Sequence, residues 1–252
     1  MATMLIFTMM VVAMSLLYSR ISPSLIGYEA ETNANNQEFI FLNIETQVTR
    51  LATLPPGSIA TVDILSRGAV YDVIDGKNVS IGITGRNNTV FATPFGMFKA
   101  SLDKQYQSVS TSHYLEDGIE ENTMFINDSV ENFVFGVSKV DIEIGNATYW
   151  QYFRGKIDLV QLGGTYSLNI FVYRIMADPT DFPLLQSQWV LRLRRGDPTI
   201  TSRVIQADVN GLRINQTATH TTDPLLTYSL NAIPDGTFVN VNFIEIPIYY
   251  ET

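Results

Sequence analysis

The sequence predicts an α+β fold in which one long N-terminal α-helix, residues 1–54, precedes an all-β antiparallel sandwich, residues 55–252. The first 19 residues carry no charge, and 15 of them are apolar. Residues 29–54 continue with apolar side chains at helical spacing. After Gly57, alternating β-branched and aromatic runs separated by turn signals replace the helical pattern, which is typical of antiparallel sheets.

The helix is predicted from a stripe of side chains at alternating gaps of four and three residues, which places them on one face. The stripe consists of Ala30, Ala34, Gln37, Phe41, Ile44, Val48 and Leu51. Glu45 lies off this stripe. Pro55 and Pro56 end the helix, because proline cannot continue the hydrogen-bond ladder. Pro23 lies inside the helix and predicts a kink or a local break there.

The β region contains runs such as "KNVSIGI", "TYSLNIFVYRI" and "TFVNVNFIEIPIYY". Asp75-Gly76 stands between two alternating runs and predicts a hairpin turn. Turn signals at short intervals favour an immunoglobulin-like or larger sandwich. The pattern leaves one sandwich and two subdomains as open alternatives.

Composition excludes several classes of function. The net charge of −9 and only 16 Lys and Arg residues exclude the basic surface that nucleic-acid binding needs. The absence of cysteine excludes disulfides and thiolate chemistry. Phosphate-binding, nucleophile-elbow and zinc-protease motifs are absent. We therefore expect no enzyme: no catalytic residue, no cofactor and no metal.

The first segment cannot remain in water. Exposing 15 apolar side chains would cost roughly 20–45 kcal/mol, more than the ~5–15 kcal/mol that stabilises a whole domain. A cleaved signal peptide is disfavoured, because no Lys or Arg precedes Arg20 and the apolar pattern continues into the second half of the helix. We expect the segment to lie in a membrane before assembly and in a bundle of copies afterwards. The expected packing residues are Leu5, Phe7, Val11, Leu16, Ile21, Ala30, Ala34, Phe41, Ile44, Val48 and Leu51.

This layout resembles type IV pilins of the archaeal kind, the superfamily that includes adhesion pilins and archaellins. The resemblance rests on the apolar start "MATMLIFTMMVVAMSLLYS", Pro23, the amphipathic second half, the passage "LPPGSIATVDIL" and the cysteine-free β region. Leu5 stands where bacterial pilins carry a glutamate, which fits the archaeal branch. The basic leader that pilins carry before their cleavage site does not stand in this sequence. A mature chain would have lost that leader, whereas for a primary product the resemblance is weaker.

The resemblance implies a structural subunit of an extracellular helical filament. Its N-terminal helices would bundle with copies of the same chain, and the β domains would form an outer sheath that contacts surfaces or glycans. The missing Ala/Gly-rich start favours an adhesion pilus over the archaellum, a motility filament. The alternative is a cell-surface binding module with a single membrane anchor and a β-sandwich ectodomain.

Five sequons of the form N-x-[ST] predict N-glycosylation of an exposed surface. They begin at Asn78, Asn87, Asn127, Asn146 and Asn215.

Overall fold

The computed structural model describes residues 2–65, 68–103, 111–115, 125–127, 136–143, 146–177, 188–218 and 226–252. These residues form one helix and fourteen strands: α1 (Ala2–Thr53), β1 (Ile59–Leu65), β2 (Ala69–Thr84), β3 (Asn88–Asp103), β4 (His113–Tyr114), β5 (Phe125–Asn127), β6 (Gly136–Glu143), β7 (Asn146–Phe153), β8 (Gly155–Leu162), β9 (Thr165–Ala177), β10 (Gln188–Arg195), β11 (Thr199–Gln206), β12 (Leu212–Ala218), β13 (Leu226–Leu230) and β14 (Phe238–Glu251). The predicted class, a long N-terminal helix followed by a mostly antiparallel β region, is confirmed.

Helix α1 is 52 residues long and therefore about 80 Å from end to end. It ends at Thr53, just before Pro55 and Pro56, as expected. Helical backbone continues through Pro23 without a break, and the kink there stays a prediction.

The strands form two sheets, here called sheet A and sheet B. Sheet A has the order β1-β10-β14-β9-β8-β5, with β11 also paired to β14. Sheet B has the order β13-β12-β2-β3-β7-β6-β4. Most neighbours are antiparallel, but β14 runs parallel to β9, and β5 runs parallel to β8.

The hairpin predicted at Asp75-Gly76 is wrong. Strand β2 continues through these residues and pairs with β3 on both sides of them. The register shifts between Ile74 and Lys77, so the predicted turn is a bulge inside one long strand. The chain reverses instead at residues 85–87, between β2 and β3.

Strands β10 and β11 lie consecutively along the same edge of β14. Arg195 is opposite Ile248 and Thr199 is opposite Glu245, so residues 196–198 face only two residues of β14. The backbone N–H of Gly196 donates to the carbonyl of Pro247 at 2.8 Å within this irregular step. The two strands thus act as one long strand interrupted by a bulge.

Buried side chains form two hydrophobic cores between the sheets. The helix-side core includes Phe41, Phe98, Tyr149, Leu191 and Ile248. The distal core includes Ile81, Phe91, Ile170, Leu212 and Val241. Strands β2, β3, β9 and β14 contribute to both cores, so they join the two into one head.

Gly96 allows the sheets to approach closely near the boundary between the cores. A Cβ at this position of β3 would lie 2.0 Å from the carbonyl oxygen of Ile175 in β9. No other residue fits there without backbone movement, because such a contact is far inside van der Waals separation.

The second half of α1 belongs to the helix-side core. Ile40, Phe41, Ile44, Val48 and Leu51 are buried there together with side chains of both sheets. The helix packs mainly against β1, β10 and β6. The change from helix to strand occurs where the sequence predicts, between Thr53 and Ile59. The helix-side core nevertheless contains side chains from both parts of the chain.

Replacing Phe41 with alanine is expected to destabilise the head by about 3–5 kcal/mol, because it leaves a cavity in a packed core. Phe41 is fully buried, whereas Phe39, two residues away, is 69% exposed. Phe39→Ala is therefore the matched control and should change stability by less than about 0.5 kcal/mol. Urea denaturation in detergent solution measures both, and equal losses would contradict this packing.

Candidate assembly surface

The first half of α1 is an exposed apolar surface. Its described large apolar side chains between residues 7 and 28 are each 50–75% exposed. They are Phe7, Met9, Met10, Val11, Val12, Met14, Leu16, Leu17, Tyr18, Ile21, Leu25, Ile26 and Tyr28. We call this stretch, residues 7–28, the apolar arm.

The apolar arm needs a partner. Burying thirteen such side chains is worth about 20–40 kcal/mol, which exceeds the ~5–15 kcal/mol stability of a typical domain. The exposed side chains surround the helix rather than lining one side. A helix that is apolar all round is buried in lipid or among other helices.

The apolar arm is long and apolar enough to cross a membrane. An 18-residue window of the helix has a mean hydropathy of 1.4, and none of it is buried in the structure. A signal sequence meets the same criterion. Length and composition therefore show that the arm is compatible with a membrane, but they do not distinguish an anchor from a signal sequence.

Aromatic packing holds the other half of the helix in the head. The Phe41 ring lies 5.4 Å from that of Phe98 and 5.8 Å from that of Tyr149, measured between centroids. Phe98 in turn lies 5.1 Å from Tyr250 of the last strand. Since Phe98 and Tyr149 belong to sheet B and Tyr250 to sheet A, the helix is held by both sheets.

Hydrogen bonds fix the rotation of the docked helix about its own axis. The Tyr71 hydroxyl donates to Gln37 Oε1 at 2.7 Å, and Gln151 Nε2 donates to the carbonyl of Phe41 at 2.7 Å. Burial raises the pKa of the Tyr71 phenol, and the hydrogen bond to Gln37 only partly offsets this. Burial likewise raises the pKa of Tyr250. These phenols therefore stay neutral within the core.

Glu45 is a buried carboxylate in the docked half, although the sequence places it off the apolar stripe. Its Oε1 accepts a hydrogen bond from the backbone N–H of Gly136 at 3.0 Å. A Cβ at position 136 would lie 2.4 Å from Glu45 Cδ. Only glycine at the start of β6 leaves room for this carboxylate.

Six hydroxyl groups of α1 form hydrogen bonds within the helix itself. Their donors reach backbone carbonyls three or four residues earlier, at 2.8–3.4 Å. They belong to Ser19, Ser24, Thr32, Thr46, Thr49 and Thr53. Such a side chain can leave water without losing its hydrogen bond, so these hydroxyls are compatible with burial of the helix.

The predicted packing residues separate into two groups. Phe7, Val11, Leu16 and Ile21 are exposed. Leu5 and Pro23 have helical backbone, and their side chains lie outside the described residues.

The remaining predicted packing residues form the second group. They were expected to pack against other copies of the chain, and the structure corrects this expectation. Ala30, Ala34, Phe41, Ile44, Val48 and Leu51 are all buried within the single chain. Their side chains are therefore not available to other copies while the head is folded. The periodic stripe is the face on which α1 docks onto its own β domain.

The sequons also differ in their surroundings. Asn146 is exposed at the start of β7, whereas Asn215 is partly buried in β12 between β2 and β13. Asn87 is tied to β11: its Nδ2 donates to the Val204 carbonyl at 3.3 Å, and its Oδ1 accepts from the Gln206 N–H at 2.8 Å. The side chains of Asn78 and Asn127 lie outside the described residues.

A shallow polar depression of about 480 Å³ lies on the outer face of sheet A, lined by side chains of β9, β11 and β14. Ser202 Oγ donates to Asn242 Oδ1 at 2.8 Å, and Asn242 Nδ2 donates to Asn169 Oδ1 at 2.9 Å. Its lining contains Arg203 but neither a carboxylate nor an imidazole. No group of three or more His, Asp or Glu side chains suited to a metal occurs among the described residues.

Sequence reasoning missed four residues that hold the helix: Tyr71, Glu45, Gly136 and Gln151. A signal was available for Tyr71 alone, because Gln37 is a polar residue within the apolar stripe and requires a buried partner. Nothing local to β6 or β7 identifies the partners on the sheet.

Comparison with known proteins adds no relative: no family model, no curated protein and no solved structure matches this chain.

Gly136→Ala is expected to weaken docking of the helix by about 1–3 kcal/mol, since Glu45 must move and lose its bond to the backbone. Gly82→Ala is the matched control. A Cβ at position 82 would meet no atom closer than 3.8 Å, so no loss is expected. Urea unfolding compares the two variants, and an unaffected Gly136→Ala protein would refute the proposed role of Glu45.

A chain beginning at Glu29 should be a soluble, folded monomer, because it lacks the apolar arm but keeps the docked half. A chain beginning at Ser58 should fail to fold. It loses Phe41, Ile44, Val48 and Leu51, whose burial contributes about 6–12 kcal/mol. Circular dichroism and size-exclusion chromatography test both chains, and a stable monomer starting at Ser58 would show that the head does not need the helix.

Proposed function

We propose that this chain is a structural subunit of an extracellular helical filament, of the type IV pilus-like class expected from its layout. The N-terminal helices would form a central bundle of copies, and the β heads would form the outer sheath. The observation that carries the proposal is an exposed apolar arm joined, by one continuous helix, to a folded head.

Continuity of the helix is what makes the arm useful for assembly. Docking of residues 30–53 fixes the direction in which the arm leaves the head, because the same helix forms both parts. Copies that pack their arms together therefore place their heads in equivalent positions. Repeated heterologous contacts of this kind build an open helical polymer.

Two observations favour copies of the chain over lipid as the final partner. Phe39 is 69% exposed, yet it lies about 30 Å along the helix from Ser19, beyond a segment that already spans a hydrocarbon core. The hydroxyls of Thr32, Thr46 and Thr49, which lie within about 11 Å of Phe39 along the helix on one side and about 15 Å on the other, donate to carbonyls of the helix itself. Both features suit contact with protein on the outer side of the docked half.

Before assembly, the apolar arm requires another apolar environment. The membrane provides it, because the uncharged stretch rises about 28 Å as a helix, close to the ~30 Å hydrocarbon core. The subunit would thus be membrane-inserted first and part of a cell-surface filament afterwards. Transfer from lipid to a bundle keeps the arm out of water throughout.

The heads would form the outer surface of the filament. Their role would be adhesion to surfaces or glycans. The polar depression on sheet A offers amide and hydroxyl groups on an exposed face. A motility filament of the archaellin type would use the same assembly. A cell-surface binding module with a single anchor is the alternative, and it predicts that the arm stays in lipid.

Replacing Val11 or Leu16 with aspartate should abolish filaments while the head stays folded. Both residues are more than half exposed in the isolated chain, so the change leaves the packing of the head intact. In a bundle, an unpaired buried carboxylate costs several kcal/mol at every added subunit. Electron microscopy of sheared cell-surface material counts the filaments, and circular dichroism of the purified subunit checks the head.

Val209→Asp is the control. Val209 is an exposed apolar residue in the turn between β11 and β12, far from the helix in sequence, and its change should leave filament yield intact. Wild-type yield from the Leu16→Asp chain would reject the filament. So would a wild-type protein that remains monomeric in the membrane.

A further inference from the structure

Strand β11 leaves part of one edge of sheet A open. It pairs with β14 along its whole length, and no described strand lies on its other side. Two hydrogen bonds show which backbone groups face that other side. The Val204 carbonyl accepts from Asn87 Nδ2, and the Gln206 N–H donates to Asn87 Oδ1. Because the direction of the backbone groups alternates along a strand, the even-numbered residues of β11 point theirs away from β14.

The uncovered stretch is short and bounded at both ends. Toward the end of β11, the side chain of Asn87 covers the edge. Toward its start, the chain before β1 covers the edge as far as Arg195: the Gly57 N–H donates to the Arg195 carbonyl at 2.8 Å, and the Arg195 N–H donates to the Ser58 carbonyl at 3.0 Å. Between these limits, six residues of β11 span about 20 Å. We call this stretch, residues 199–204, the open edge.

The open edge carries backbone groups that lack partners. Ile200 and Ser202 each direct an N–H and a C=O to the free side, and Val204 directs its N–H there. None of these groups forms a hydrogen bond in the part of the chain that the structure describes. The stretch contains no proline, lysine or bulge, which commonly protect edge strands. Its backbone is therefore able to pair with a further strand.

The side chains of the open edge add two further features. Ile200 is 59% exposed and Val204 is 55% exposed, and both lie on the same face of the strand. Arg203 is the one charged residue of the stretch, and it forms no ion pair with any described residue. The open edge thus combines unpaired backbone groups, two exposed apolar side chains and one unpaired cation.

The open edge is already in the conformation of a paired strand. Ser202 Oγ donates to Asn242 Oδ1 of β14 at 2.8 Å, and the next residue after the open edge, Ile205, is fully buried in the distal core. Addition of a strand therefore requires no rearrangement of β11. Such preformed sites lose little conformational freedom on binding.

The chemistry of the open edge selects its occupant. An extended chain offers N–H and C=O groups at the spacing of the open edge, so a strand is the structure that matches it. Apolar side chains at alternate positions would pack on Ile200 and Val204. A carboxylate on the added strand would be attracted by Arg203, whereas a cation there would be repelled.

Strand β11 of a second copy fits this edge less well. An antiparallel pair centred on Ser202 would use all the open groups of both strands. It would also place Thr199 of the second copy opposite Ile205, where the side chain of Asn87 already lies. Since Thr199 is held in its own sheet by β14, the second strand could not bend away from this obstruction. A separate extended segment has no such restriction.

We propose that the open edge binds an extended peptide segment of another protein, with apolar side chains at alternate positions and a carboxylate next to Arg203. The segment would become an additional strand of sheet A beside β11. The site lies at the distal core and uses no residue of the apolar arm. It therefore adds a binding function to the head that does not depend on the filament.

A synthetic peptide of sequence VTVEVT, blocked at both ends and labelled with fluorescein, is the probe. Fluorescence anisotropy with the full chain in detergent should show saturable binding. Hydrogen exchange should become slower at the amides of Ile200, Ser202 and Val204 when the unlabelled peptide is added. The peptide PTPEPT should not bind, because proline lacks the N–H groups that the added strand must donate.

Ile200→Pro blocks the edge without disturbing the ladder to β14, because the N–H that it removes points to the free side. Peptide affinity should fall at least about tenfold, as expected for the loss of one or two backbone hydrogen bonds. Ile200→Ala is the matched control: it loses the same side chain but keeps the N–H and should retain most of the affinity. Circular dichroism verifies the fold of both variants, and unchanged affinity in a folded Ile200→Pro chain would overturn the site.

Arg203→Glu tests the charge with every backbone group in place. Wild type should prefer VTVEVT to VTVKVT, and Arg203→Glu should reverse that preference. An unchanged preference, or no saturable binding of VTVEVT to wild type, would overturn the proposal. Self-association of wild type that Ile200→Pro abolishes would assign the open edge to a second copy instead. Absence of filaments would reject the proposed function but not this site, since binding is measured on the solubilised chain.

Discussion

Docking of residues 30–53 of α1 into the space between the two sheets is the contact on which the rest of the structure depends. Phe41 touches aromatic side chains of sheet B, and these reach Tyr250 of sheet A. Without the helix, the helix-side core would be open to water along that side. The same contact gives the apolar arm a fixed origin, so folding of the head and presentation of the arm are two results of one packing event.

The head connects the helix-side core, where α1 docks, to the distal core. Four long strands pass through both cores, and Gly96 lets the sheets approach near the boundary between them. The two cores are therefore built on the same four continuous strands. The outer surface, including the polar depression of sheet A, is carried on those same strands and on β11.

Local patterns predicted local structure well. The periodic stripe identified the buried face of α1 and Pro55-Pro56 its end, because helix periodicity and proline chemistry act over a few residues. The partner of that face could not be predicted, since burial against a β domain and burial against other helices leave the same pattern. Asp75-Gly76 misled because a bulge and a tight turn favour the same residues.

Longer-range features had no signal of their own. Glu45 has the sequence position of a solvent-facing carboxylate, and its partner Gly136 is 91 residues away. Parallel pairing of β9 with β14 likewise depends on segments far apart in the chain. For the assembly surface, the apolar arm was evident from composition, whereas the division of α1 into exposed and docked halves required the fold.

The position of β14 has a consequence for biosynthesis. The last strand of the chain lies inside sheet A, with β9 on one side and β10 and β11 on the other, and it supplies Tyr250 to the core that receives α1. A chain emerging from the ribosome presents its apolar N-terminus long before this strand exists. The docked half of α1 therefore has no complete core to pack into until β14 has been synthesised, and the head closes only after that point.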